Sequence, residues 1–251
     1  MTRKKIAGLS ILALLLAASA YVANWFVERE KRLSPAHPVA LAALTSTESV
    51  TVSERDWIVF SPATTAATKG LIFYPGGECD ERGYAELLAA IAAEGYLVVL
   101  VPMPLQLAVL APGRASSVIE AFPGIDTWAI GGHSLGGAMA ARYVFNNPGA
   151  MDGLLFWDAY PPETDDISQR ELAVRLVHRA NEAGEMPDYY NQYIPLLPAH
   201  MDYAPLAGAV HINFGRFIPA ERFRQDGEPT MPIEEQHRRI VDASINFMVQ
   251  L

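Results

Sequence analysis

Residues Gly132, His133, Ser134, Leu135 and Gly136 form a Gly-x-Ser-x-Gly run. Their spacing suits a nucleophilic serine. Residues 127–131 (TWAIG) read as a short buried strand, and residues 138–146 (AMAARYVFN) as an amphipathic helix. A serine on a sharp strand-to-helix turn is forced outward, and small residues two before and two after it let the backbones pack. The N-terminus of the following helix points its free N–H groups at the same spot, where a developing oxyanion would be stabilised.

A serine hydroxyl is a weak nucleophile at neutral pH. It needs a base within hydrogen-bond reach and a group that orients the base. Where a strand-turn-helix carries the serine, the acid and then the histidine follow in chain order. His211 is the candidate base, because it follows a weak strand at 202–206 and a loop containing Gly208. His133 adjoins the serine but points elsewhere on a tight turn, which suits packing or hydrogen bonding. Two acids compete. Glu182 lies just after a strand at 172–177 and is the first choice; Asp158 ends the preceding strand, 153–157, and is the second. An oxyanion hole needs two backbone N–H donors. Leu135, the residue after the nucleophile, offers one. Gly77, in the turn Pro75-Gly76-Gly77-Glu78 after the strand at 70–74, offers the other, since glycine lets the backbone approach a substrate closely.

These residues need a scaffold, and the pattern supplies one. Strands at 70–74, 96–101, 127–131, 153–157, 172–177 and 202–206 alternate with helices at 84–94, 116–121, 138–146, 188–197 and 232–249. Two earlier strands, 49–52 and 57–60, form a hairpin. Short, continuously apolar strands alternating with helices predict an α/β fold with a mostly parallel sheet covered on both faces.

The 251 residues suffice for one such domain. Residues 6–27 are a 22-residue run without a charge, preceded by Arg3, Lys4 and Lys5. A helix of that length spans about 33 Å, against roughly 30 Å for a bilayer core. Residues 1–27 are therefore expected to be an uncleaved transmembrane anchor, with Trp25 at the interface and the remainder outside the cytoplasm. The alternative is a signal peptide cleaved near Ala20, after Ala18-Ser19-Ala20. Residues 28–47 read as a juxtamembrane linker and 48–251 as the catalytic domain. Past the anchor, 16 basic residues face 28 acidic ones, without a basic patch, so nucleic acid is not an expected partner. Lone Cys79 cannot form an internal disulfide, and the six histidines lack metal-ligand spacing.

The chain resembles the α/β-hydrolase superfamily, in particular a bacterial subgroup related to dienelactone hydrolases. The resemblance rests on YPGG (74–77), EGYLVVLVPMPLQLAVL (94–110), IGGHSLGGAMAARY (130–143), DGLLFWDAYP (152–161), VHINFG (210–215) and EEQ (234–236). It covers nearly everything after residue 40. It implies Ser134 as nucleophile, His211 as base and an acid just after the strand at 172–177. The family's Asn-Asp-Gly is here Asn181-Glu182-Ala183, and its Gly-Gly-Asn before the histidine is Gly208-Ala209-Val210.

The expected activity is hydrolysis of small esters, lactones or thioesters through an acyl-enzyme, with no metal or organic cofactor. The alternatives are a membrane-anchored, non-catalytic binding domain on the same fold, and an acyltransferase using the same triad.

Overall fold

The computed structural model describes residues 3–221, 223 and 227–251, with side chains for residue 14 and from residue 16 onward. Its centre is an eight-stranded sheet in the order β1-β2-β4-β3-β5-β6-β7-β8. The strands are β1 (Val50–Glu54), β2 (Ile58–Pro62), β3 (Lys69–Tyr74), β4 (Leu97–Leu100), β5 (Thr127–His133), β6 (Gly153–Trp157), β7 (Ala173–Ala180) and β8 (Asp202–Ala207). The β1–β2 and β2–β4 pairs are antiparallel, and all later pairings are parallel. The helices are α1 (Arg3–Arg32), α2 (Pro38–Ala42), α3 (Ala85–Ala93), α4 (Ala115–Ala121), α5 (Leu135–Asn146) and α6 (Ile233–Gln250).

The central strands are apolar on both faces, and alternate side chains feed two separate cores. Ile72, Val99, Ile130, Leu154 and Phe156 join the core under α4 and α5. Leu71, Phe73, Val98, Leu100 and Leu155 join the one under α3 and α6. This is the expected mostly parallel, doubly covered sheet. Full burial of one Leu or Phe side chain stabilises by about 1.5–3 kcal/mol, so the two cores fix the register of every strand that ends at the site.

Three segments differ from the sequence expectation. β7 runs on through His178, Arg179 and Ala180, because its backbone stays paired with β8 to Ala207. The helix expected at 188–197 is two 3-10 turns, Asp188–Gln192 and Ile194–Leu196; Pro195 cannot continue an α-helix. The region expected to be a linker is helical to Arg32 and then packed on the body. Ser34 bridges Cys79, and Ala36 bridges Phe217.

The apolar run 6–27 lies in α1. The side chains of 1–13 and 15, over half of the expected anchor, lie outside the described residues. Among the described residues, no helix is long and apolar enough to cross a membrane.

An ion cluster ties α3 to α6. Arg216 Nε lies 2.5 Å from Glu86 Oε2, and His237 Nδ1 lies 3.7 Å from the same oxygen. The His237 hydrogen bond, with help from Arg216, lowers the Glu86 carboxyl to about 2. A depressed carboxyl stabilises the fold above its unfolded value and loses that contribution as pH falls through the folded value. Glu86→Gln is therefore expected to lower the thermal midpoint at pH 7 and to flatten its fall between about pH 4.5 and pH 2. Thermal unfolding across that window checks both effects.

Candidate active site

The serine turn is built by close backbone approach. β5 ends at His133, and α5 begins at Leu135. Ser134 between them has φ 52° and ψ −122°, a conformation that costs a non-glycine residue energy. Its N–H donates to Trp157 O at 3.1 Å, and its carbonyl accepts from Ala138 N–H. The flanking glycines have no room for side chains. A Cβ on Gly132 would sit 2.6 Å from Tyr74 O, and one on Gly136 only 2.1 Å from it. Gly136→Ala must push β3 and α5 apart, and overpacking of this kind costs about 1–3 kcal/mol. The expected result is a lowered unfolding midpoint in urea together with a loss of activity exceeding that of an Ala138→Gly control.

Ser134 and His211 line one cavity of about 540 Å³, together with Gly76, Gly77, His133 and Leu135. They also line a second, of about 420 Å³, with Asp158, Tyr160, Arg179 and Tyr189. The expected oxyanion donors Gly77 and Leu135 thus sit at the serine. A Cβ on Gly77 would meet the Leu135 side chain at 3.0 Å, so the turn and the start of α5 are in contact.

His211 opens the 3-10 turn His211–Phe214. Its approach is fixed from behind. Buried Gln236 on α6 accepts from Val210 N–H at 3.3 Å and donates to Val210 O at 3.0 Å. Gly208 has φ 79°, which lets the chain turn tightly after β8.

The acid facing His211 is Asp158. Its Oδ2 is 2.5 Å from His211 Nδ1. Its Oδ1 accepts from the Tyr190 hydroxyl at 2.8 Å and from Arg179 N–H at 3.2 Å. Arg179 Nε lies 2.6 Å from Oδ2. The Asp158 side chain is 0% exposed. Burial alone would raise its carboxyl, but the His211 bond, the charges of His211 and Arg179 and the Tyr190 hydroxyl together hold it well below the usual carboxylate range.

The expectation of Glu182 at this place is corrected. Because β7 is three residues longer than its apolar stretch, Glu182 is carried past the site into an exposed turn. There its Oε1 accepts from Thr230 Oγ1 at 3.4 Å.

His133 takes the packing and hydrogen-bonding part expected of it, and its partner, Tyr84, had no clear sequence signal. His133 is buried, and its Nδ1 lies 2.7 Å from the Tyr84 hydroxyl, which accepts from Gly76 N–H at 2.9 Å. Burial pushes the His133 imidazole well below its ordinary value, and the neighbouring His211 adds to this. A neutral His133 with Tyr84 therefore props the glycine turn against the serine strand.

The N-terminal segment also reaches the site. Trp25 and Arg32 line the larger cavity. Arg32 pairs with Glu78 at 2.9 Å, and Arg29 bonds Gln106.

Chemically, a serine hydroxyl and an imidazole share two cavities, and the imidazole's Nδ1 faces a buried carboxylate.

Comparison with known proteins bears on the family and the fold. A family model described as the alpha/beta hydrolase family matches residues 70–238. No curated protein matches the chain. Among solved structures, one reported for LipS and LipT, two metagenome-derived lipolytic enzymes, superposes with TM-score 0.57 at 10% identity, covering 74% of this chain and 95% of that one. A ferulic acid esterase from Streptomyces cinnamoneus gives TM-score 0.56 at 15% identity, with 75% and 68% covered. TT1662 from Thermus thermophilus gives 0.51 at 13%, with 79% and 98% covered. At these identities the likeness is one of fold.

Proposed function

This chain belongs to the alpha/beta hydrolase family, and from that premise we propose that it is a serine hydrolase of carboxylic ester-type bonds, meaning small esters, lactones or thioesters. The observation that carries this reading is the placement of Ser134, on a left-handed turn, in the same cavities as His211, which is itself tied to buried Asp158. In the proposed reaction His211 Nε2 takes the Ser134 proton as Oγ attacks the carbonyl carbon. The oxyanion accepts from Leu135 and Gly77 N–H. Collapse expels the alcohol or thiol, which leaves with the proton from His211. Water, deprotonated by His211, then attacks the acyl-enzyme, and the acid leaves with Ser134 restored. The two cavities give the acyl and leaving groups separate room.

The test is turnover of a p-nitrophenyl ester series by the full chain in detergent. Hydrolysis that declines with acyl length at one end of the series is expected. No turnover of any member, by folded protein, contradicts the reading.

We propose further that residues 1–27 hold the domain at a membrane, outside the cytoplasm. The uncharged run behind Arg3, Lys4 and Lys5 supports this. The full chain is expected in the membrane fraction, with the catalytic domain open to protease from outside. A soluble product starting at Tyr21 would show cleavage instead.

A further inference from the structure

A permanent cation on the triad acid is the least expected feature of this site. In a Ser-His-Asp triad, a buried aspartate holds a histidine and stabilises the imidazolium that forms on proton transfer. Here the same oxygen, Asp158 Oδ2, lies 2.5 Å from His211 Nδ1 and 2.6 Å from Arg179 Nε. Arg179 is on the stretch of β7 that extends beyond its apolar core. Its backbone N–H is bound to the other carboxylate oxygen, Oδ1. Its Nη2 donates to the Tyr189 hydroxyl at 2.9 Å. The guanidinium is thus held by its own strand and by the neighbouring 3-10 turn. Its side chain remains 23% exposed and lines the cavity shared by Ser134 and His211.

We infer that Arg179 is a positioning residue for the catalytic pair: its guanidinium shares Asp158 Oδ2 with His211 and offsets the charge of Asp158 in the resting site. The inference rests on the serine-hydrolase reading above and deepens it.

The neighbours allow the effect to be assigned to one residue. Among the described residues, the titratable and charged groups around the pair are His133 on β5, His178 and Arg179 on β7, Tyr160, Tyr189 and Tyr190 between β6 and β8, and the ion pair of Arg32 with Glu78, which lines the cavity that His211 also lines. Burial holds His133 and His178 toward their neutral forms. Burial raises Tyr160, Tyr189 and Tyr190, and the Asp158 charge adds to this at each, so all three remain uncharged phenols. Arg32 is paired with Glu78, and Arg179 is the permanent cation placed on the Asp158 carboxylate. A buried carboxylate paired with histidine alone would favour the imidazolium and leave less free base at low pH. A guanidinium on the same oxygen opposes that imidazolium. The cost is a weaker pull on the proton in the transition state, and the gain is activity at lower pH.

The test is the pH dependence of kcat/KM for a soluble p-nitrophenyl ester, measured on the full chain in detergent. Arg179→Gln is expected to move the acid limb to higher pH by about one unit. Arg179→Lys, which keeps the charge, should recover at least half of that displacement. A parallel NMR titration of His211 in the Ser134→Ala background, with and without Arg179→Gln, reads the same displacement without turnover. It therefore separates this inference from the hydrolase reading. An unmoved limb and titration, or a lysine variant indistinguishable from glutamine, would overturn the inference. So would a rise in KM confined to anionic esters with the limb unmoved, which would make Arg179 a substrate-binding residue instead.

Discussion

Ser134→Ala is expected to lower kcat/KM for a p-nitrophenyl ester by at least about 10⁴-fold while leaving the fold intact. The size follows from the role. When the nucleophile of a Ser-His-acid unit is removed, only oxyanion stabilisation and binding remain, a residue of about 10³–10⁴ over water. The fold should survive because the turn is held by backbone contacts that alanine keeps, namely Ser134 N–H to Trp157 O and Ala138 N–H to the Ser134 carbonyl. Ser134→Gly adds a second reading. It should be equally inactive, yet more stable than Ser134→Ala by about 1 kcal/mol, since glycine relieves the positive φ. Steady-state rates and denaturant midpoints for both variants measure this. Residual activity above a thousandth of the parent in either would mean that another group attacks the carbonyl.

Asp158→Asn is expected to cost about 10³–10⁴-fold in kcat, whereas Glu182→Gln should stay within about twofold of the parent. Asn keeps the shape of the acid and tolerates the positive φ of residue 158, here 44°. What it removes is the charge that holds the His211 Nδ1 proton and pairs with Arg179. Glu182 lies in an exposed turn and accepts from Thr230. Comparable losses in the two variants would contradict the assignment of Asp158.

The choice between these acids marks the boundary of what the sequence discloses here. The serine turn was legible because three physical requirements coincide in five residues: two glycines at close approach, a serine between them, and a strand and helix on either side. The order of the elements was legible too, because apolar runs such as 153–157 are buried on both faces. The extent of β7 was not. His178, Arg179 and Ala180 break the apolar pattern, yet their backbone still pairs with β8. Reading the strand as ending at 177 placed Glu182 at the site and left Arg179 unremarked.

The path of residues 33–36 was hidden for a similar reason. It depends on isolated backbone bridges to Cys79 and Phe217, which carry no periodicity. The prop formed by Tyr84 and His133 joins residues 49 apart in the chain through a hydrogen bond and a ring contact. By contrast, the Gln236 clamp on Val210 accounts physically for one motif that the resemblance included, EEQ at 234–236.

The central claim is that Ser134 is an activated nucleophile, and site mapping with a fluorophosphonate probe tests it most directly. Folded full-length protein would be labelled, digested and mapped by mass spectrometry, alongside Ser134→Ala and Asp158→Asn. The account predicts a single adduct on the peptide containing Ser134, absent from Ser134→Ala and much slower to form in Asp158→Asn. An adduct on another residue, or none on folded protein, would contradict it.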